Sequence, residues 1–309
     1  MSAKELDAVI ARFAAMKAGW GTAVTLEQMR SGLDDLYASY APVPGFNAEP
    51  VRAGGVPAEW VRAPGVASDE VILYFHGGGF AVGSLRGSRH YAARLSAATR
   101  TAVLVLDYRL APEHTFPAQI DDAEASYRWL LSLGKTGAQI ALQGDSAGAC
   151  LALALLARLR SAGAPMPACA ALLTPWADMR CEAQSYDTLK HEDPVANREM
   201  ALMMAATYLG ASGRADDPKA TPVLGDFSGF CPLLIQAAGR DVFRDDARAI
   251  DRCAQRAGVP CELQEWPGMI HQWQLYAAEL AEARQALEKV DQFLSRHFAL
   301  GAVPDALRP

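Results

Sequence analysis

The chain has 309 residues, 51% hydrophobic and 21% charged, which supports a large buried core and excludes a disordered protein. Its 29 Lys and Arg against 35 Asp and Glu give a net charge of −6, and no Lys/Arg-rich run offsets it, so nucleic acid is excluded as a partner. The longest apolar run, Ala147–Ala157, is too short to span a bilayer, which takes ~20 residues, so no membrane association is expected.

The amino terminus, with Lys4, Glu5 and Asp7, lacks the basic start and apolar middle of a secretion signal. Leu6, Val9, Ile10 and Phe13 recur on one face and predict an amphipathic helix. A second helix is predicted from about Thr25 to Tyr40, ended by the Pro/Gly-rich segment 41–46. From there short apolar strands alternate with helices. The strands are predicted at Val71–Phe75, Thr101–Leu106, Gln139–Gln143, Cys169–Thr174, Pro232–Ala237 and Cys261–Glu265. Between them come helices at Arg86–Ala98, Ala118–Leu133, Ala147–Arg160 and Asp245–Ala257, and a last one runs through Leu280, Ala283, Leu287, Val290 and Leu294. This alternation indicates an α/β fold, a mainly parallel sheet with helices on both faces. The rhythm breaks between Pro175 and Pro232, where the sequence holds a helical stretch, Ala196–Leu209, and no strand. An insertion of this size caps something, and in open α/β sheets that lies at the carboxyl ends of the strands. No repeat period is visible. The six cysteines, at 150, 169, 181, 231, 253 and 261, form no C-x-x-C pair, so free thiols and a cytoplasmic location are expected.

Gly144-Asp-Ser-Ala-Gly148 follows the strand 139–143 directly and opens the helix from Ala147. Small residues on both sides permit the tight turn that lifts a serine hydroxyl above a sheet. The helix behind it aims free N–H groups at the same spot. His76-Gly-Gly-Gly-Phe80 follows the strand 71–75. Three glycines leave the backbone free to approach a ligand and turn N–H groups inward. The spacings of phosphate-binding loops are absent, and so is the H-E-x-x-H pattern of a zinc site, so no cofactor or metal is expected.

A serine nucleophile needs a base, and six histidines compete. His76 belongs to the glycine loop, His90 and His297 to helical patterns, His114 to a turn and His191 to the insertion. His271 follows the last strand and the loop Trp266-Pro-Gly, downstream of every acid candidate, and the order Ser…Asp…His selects it. For the acid, Asp241 lies in the loop after the penultimate strand. Asp245 and Asp246 fall where a helix begins and read as caps of that helix. Asp241 is therefore the choice.

With these residues in place the chain resembles the bacterial hormone-sensitive-lipase-type (family IV) carboxylesterases of the α/β-hydrolase fold, over about residues 70–275. The motifs carrying the resemblance are His76–Phe80, Asp107-Tyr-Arg-Leu-Ala-Pro-Glu-His114 with Phe116-Pro117, Gly144–Gly148, Asp241 with Arg244-Asp245-Asp246, and His271. The resemblance implies Ser146 as nucleophile, His271 as base, Asp241 as its orienter, and the N–H groups of Gly78, Gly79 and Ala147 as oxyanion donors. It also implies a helical cap built from residues 1–45 and 176–225 on a core of 46–175 and 226–309. Gln272-Trp273 stands where many members have Gly-Phe, which bears on the shape of the pocket rather than on the chemistry.

The expected activity is hydrolysis of short or compact acyl esters of a small-molecule substrate through an acyl-enzyme. A homodimer is compatible with this reading. The alternatives are a lactone hydrolase with the same triad, an amidase or deacetylase, and a ligand-binding relative without catalysis. The charged insertion, with Asp178, Arg180, Glu182, Asp187, Lys190, Glu192, Asp193, Arg198 and Glu199, is poorly suited to a lipid interface. Phe80, Met203, Met204, Tyr208 and Trp273 read as core rather than as pocket contacts.

Overall fold

The computed structural model describes residues 3–19 and 24–301. Residues 1–2 and 20–23 of the expected segment 1–45, and 302–309 of the segment 226–309, lie outside them. The elements are α1 (Ala3–Gly19), α2 (Leu26–Ala38), β1 (Asn47–Ala53), β2 (Val56–Arg62), β3 (Val71–Phe75), α3 (Leu85–Thr99), β4 (Ala102–Leu106), α4 (Ala118–Ser132), β5 (Ile140–Asp145) and α5 (Ala147–Ser161). They continue with β6 (Cys169–Leu173), α6 (Ser185–Thr188), α7 (Arg198–Leu209), β7 (Leu233–Ala238), α8 (Arg244–Arg256), β8 (Cys261–Trp266) and α9 (Ala281–Gly301).

Eight strands form one sheet in the order β1-β2-β4-β3-β5-β6-β7-β8, parallel from β4 to β8 and antiparallel at β1 and β2. The inner strands are buried along their whole length, as a sheet covered on both faces requires. Alternate residues of one strand feed opposite layers. Leu73, Leu104, Leu142 and Leu172 join Ile120, Leu151 and Ile250 from α4, α5 and α8. Ile72, Val103, Ala141 and Ala171 join Leu95 from α3, Leu287 and Phe293 from α9, and Val9 from α1.

The hairpin β1–β2 is an addition to the six expected strands. Its strands carry Asn47, Glu49, Pro50, Arg52, Glu59 and Arg62, so no apolar run marks them. Gly54 and Gly55, both at positive φ (63° and 93°), close it as a two-residue turn.

The chain leaves β3 toward β4 on one side and returns to β5 on the other, with Phe75 opposite Gly144. Such a switch point opens a crevice at the carboxyl ends of the strands. The glycine loop and the serine turn start there, side by side. The segment between β6 and β7 contains α6 and α7. Asn197 caps α7 by accepting the Met200 N–H at 2.8 Å. Lys17 of α1 reaches this segment, donating to the Pro194 carbonyl at 3.4 Å.

Candidate active site

Ser146 joins β5 to α5 with φ 53° and ψ −120°, a conformation that costs a non-glycine residue free energy and persists only when neighbours enforce it. Its N–H donates to Leu173 at 2.9 Å, and its carbonyl accepts from Trp176 at 3.2 Å. The flanking glycines are obligatory. A Cβ at Gly144 would stand 2.2 Å from the Gly148 carbonyl oxygen, and one at Gly148 would stand 2.0 Å from that of Phe75. Ala147, the first residue of α5, presents a backbone N–H of the set that has no partner inside a helix.

The glycine loop is held from three sides. Tyr108, from the 107–114 stretch, donates its hydroxyl to the His76 carbonyl at 2.6 Å and stacks on the His76 ring, centroids 4.4 Å apart. Ala111 of the same stretch donates its N–H to Phe80 at 2.9 Å. Arg30 of α2 binds the carbonyls of Ala81 (2.8 Å) and Ala111 (3.0 Å) and the Glu113 carboxylate (2.7 Å). From below, Asp145 Oδ2 accepts the Gly77 N–H at 3.1 Å. Gly78 and Gly79 stand at φ 114° and 60°.

His271 and Asp241 come from the carboxyl ends of β8 and β7, 3% and 1% exposed, and His271 Nδ1 lies 2.8 Å from Asp241 Oδ2. Burial alone would lower the imidazole pKa. The Asp241 charge and hydrogen bond, with Asp193 and Asp145 behind them, outweigh it and leave the pKa raised. Among the described residues this is the histidine paired with a carboxylate. His76 and His90 place Nδ1 against the backbone carbonyls of Gly77 and Tyr40 instead.

Asp245 and Asp246 depart from their expected role as caps of α8. That helix has no side-chain cap; its cap position is Phe243. Asp246, 1% exposed, accepts the N–H groups of Ala177 (2.9 Å) and Asp178 (3.1 Å), and Asp245 accepts that of Ser185 at 2.9 Å. Both hold the insertion, and Asp245 also pairs through Oδ1 with Arg248 of its own helix at 3.1 Å. The sequence gives no sign of Asp193, which accepts the N–H groups of Val195 (2.8 Å), Ala196 (3.0 Å) and Val242 (2.9 Å). It ties the insertion to the Asp241 loop.

Ser146, His271, Gly78 and Gly79 line one cavity of about 120 Å³. Asp241 stands behind His271, and Ala147 is not part of the lining. Phe13, Leu33 and Tyr37 come to the wall from α1 and α2, and Ala196, Met200 and Met204 from the insertion. Of the five side chains expected in the core, Phe80, Met204, Tyr208 and Trp273 are buried there, Met204 also reaching the cavity wall, and Met203 is exposed. Gln272 lines the wall at a positive φ of 57°. Among the described residues no group of three or more His, Cys, Asp or Glu is placed to hold a metal ion, and no helix is long and apolar enough to cross a membrane.

Residues 72–275 match the family model described as the alpha/beta hydrolase fold. The chain is 43% identical to an acetyl-hydrolase of Streptomyces hygroscopicus over 244 residues, 79% of this chain and 81% of the relative. It is 32% identical to an esterase of Acinetobacter venetianus, covering 86% of this chain and 87% of the other. The crystal structure of an esterase from the bacterial hormone-sensitive lipase family superposes with a TM-score of 0.93 at 40% identity, covering 96% of this chain and 99% of that one. A structure of EstE5 soaked with p-nitrophenyl butyrate superposes at 0.88 with 38% identity, covering 94% and 98%.

Proposed function

Because the chain belongs to the hormone-sensitive-lipase-type carboxylesterases of the α/β-hydrolase fold and is a carboxylic ester hydrolase, we propose that it cleaves short or compact acyl esters with Ser146, His271 and Asp241. The observation that carries this reading is one cavity shared by a serine held at positive φ on its elbow and a histidine paired at 2.8 Å with a buried carboxylate.

In this reading neutral His271 takes the Ser146 proton as the hydroxyl oxygen attacks the ester carbonyl. Asp241 holds the ring with its proton on Nδ1 and steadies the imidazolium. The N–H groups of Gly78, Gly79 and Ala147 receive the oxyanion, each contributing about 3 kcal/mol to lowering the barrier. Protonated His271 then hands its proton to the leaving alcohol. Water repeats the sequence on the acyl-enzyme, releasing the acid and restoring the serine.

Residues 1–45 and 176–225 form the cap of this proposal, because both supply side chains to the cavity wall and Lys17 bridges them. The cavity supports a compact acyl group: about 120 Å³ corresponds to about four waters at ~30 Å³ each. The acetyl and butyryl groups named for two relatives are of that size.

Ser146→Ala tests the assignment. It should abolish hydrolysis of p-nitrophenyl butyrate to within the small residue that binding and the oxyanion donors supply. A fluorophosphonate should add one equivalent to the wild type, on Ser146. Label elsewhere, or an active Ser146→Ala, overturns the reading, and a parallel panel of lactones and matched anilides separates the ester from the alternatives.

A further inference from the structure

Gln272 sits where four parts of the molecule meet. Its backbone N–H donates to Thr174 Oγ1 at 3.2 Å, at the end of β6. Its side-chain amide Nε2 donates to Asp145 Oδ2, and Oε1 accepts the hydroxyl of Tyr37 on α2 at 3.2 Å. Asp145 in turn takes the Tyr74 hydroxyl and, through the same Oδ2, the Gly77 N–H at the root of the glycine loop. Both polar ends of the glutamine side chain are thus committed within the protein.

The site is built to admit this side chain. Gln272 at φ 57° and Thr174 at φ 40° both occupy the region that favours glycine, and they are bonded to each other. A Cβ at Gly77 would come within 2.2 Å of Gln272 Nε2 and 2.3 Å of Asp145 Oδ2. Glycine at 77 leaves the space in which amide and carboxylate meet. A glutamine that cost backbone strain and contributed only bulk to the cavity wall would gain nothing from this arrangement.

We infer that Gln272 is a positioning residue that couples the N-terminal helix α2, through Tyr37, to Asp145 and the oxyanion loop, so that turnover depends on α2 being seated. The inference rests on the proposed roles of Ser146 and of the loop N–H groups. Seating of α2 orients the amide, the amide orients the carboxylate, and the carboxylate fixes Gly77 immediately before Gly78 and Gly79. Donors that act on the oxyanion alone affect kcat and leave ground-state binding nearly unchanged.

The experiment compares Tyr37→Phe, Gln272→Leu, their double variant and Gln272→Gly, using p-nitrophenyl butyrate, a pH profile and thermal unfolding. Tyr37→Phe should lower kcat ~3–10-fold and Gln272→Leu more, with KM within about twofold. The double variant should be no worse than Gln272→Leu, because Tyr37 acts through the amide. Gln272→Gly relieves the backbone strain that Gln272→Leu keeps, so the two variants should differ in unfolding temperature while kcat falls in both, which separates positioning from stability.

The pH profile reads the same link. Asp145 faces Tyr74 of β3, His76, His271, Tyr37 of α2, Tyr91 of α3 and Tyr108. Burial raises its pKa and the Gln272 bond lowers it, so Gln272→Leu should favour the neutral carboxyl. Because the Asp145 charge helps to raise the His271 pKa, the acid limb of kcat/KM should move to lower pH in that variant. Wild-type kcat in Tyr37→Phe and Gln272→Gly, or fully additive losses, would overturn the coupling while a dead Ser146→Ala leaves the esterase assignment standing. An active Ser146→Ala would remove the assignment itself.

Discussion

His271 Nδ1 meets one oxygen of Asp241 at 2.8 Å, and the other oxygen of that carboxylate accepts the Phe243 N–H, also at 2.8 Å. Each oxygen therefore has its own task. The backbone bond fixes the plane of the carboxylate, and the plane fixes the imidazole.

Replacing Asp241 by Asn leaves one acceptor for two donors. If the Asn oxygen stays with Phe243, its NH₂ faces Nδ1 and forces the wrong tautomer. We expect kcat to fall by up to ~10⁴ with the protein still folded. Asp245→Asn and Asp246→Asn should keep most of their turnover, because their carboxylates hold Ser185, Ala177 and Asp178 rather than the base. Asp246→Asn should cost about 1–3 kcal/mol of stability, the penalty for disturbing a buried acceptor of two N–H groups. Steady-state kinetics and denaturant titration of the three variants decide; a dead Asp245→Asn with an active Asp241→Asn would move the acid.

The raised pKa of His271 sets the acid limb of kcat/KM. The base must be neutral, so activity should rise with pH through a value above the ordinary ~6.5 and reach a plateau. Asp241→Asn removes the neighbouring charge that favours imidazolium and should move the limb to lower pH. A limb that stays in place would show that the two residues are not coupled.

Asp193 links stability to pH. Burial first, and the Asp241 charge next, push its carboxyl up to about 6, against the pull of His271 and of its own backbone donors. The folded state then holds the proton more tightly than the unfolded one. The contribution is complete below ~4, the unfolded value, and is lost as pH rises through 6. Asp193→Asn cannot titrate. The stability of wild type relative to Asp193→Asn should therefore decline between pH 4 and 6.5, on the order of 2 kcal/mol, in chemical denaturation at each pH. A difference that stays flat across that window would contradict the assignment.

Acyl length tests the cavity. With about 120 Å³ beside Ser146 and Met200 and Met204 on its wall, acetyl to hexanoyl p-nitrophenyl esters should turn over fastest. Rates that climb steadily beyond decanoyl, with activation at an interface, would contradict the compact cavity.

The motifs were legible in the chain because their requirements are local. Apolar runs long enough for a strand, a serine between glycines where a strand becomes a helix, and three glycines after another strand each occupy a few consecutive residues. The six strands expected from such runs all formed, within one or two residues at their ends. The hairpin β1–β2 left only Gly54-Gly55 as a mark, because β1 is a polar edge strand and Pro57, Glu59 and Arg62 interrupt the apolar residues of β2.

Sequence alone therefore determined the α/β architecture and the order of its motifs, and picked out Ser146, Asp241 and His271 as candidates. The roles of Asp193, Asp245, Asp246, Tyr37 and Gln272 were decided only by tertiary structure. Their partners lie 49, 60, 69 and 235 residues away along the chain, as in Asp193 with Val242, Asp245 with Ser185, Asp246 with Ala177 and Tyr37 with Gln272. A carboxylate at a helix start looks the same in sequence whether it caps that helix or a neighbouring loop. Only burial and the direction of the side chain distinguish the two, and both arise when the sheet brings distant segments together.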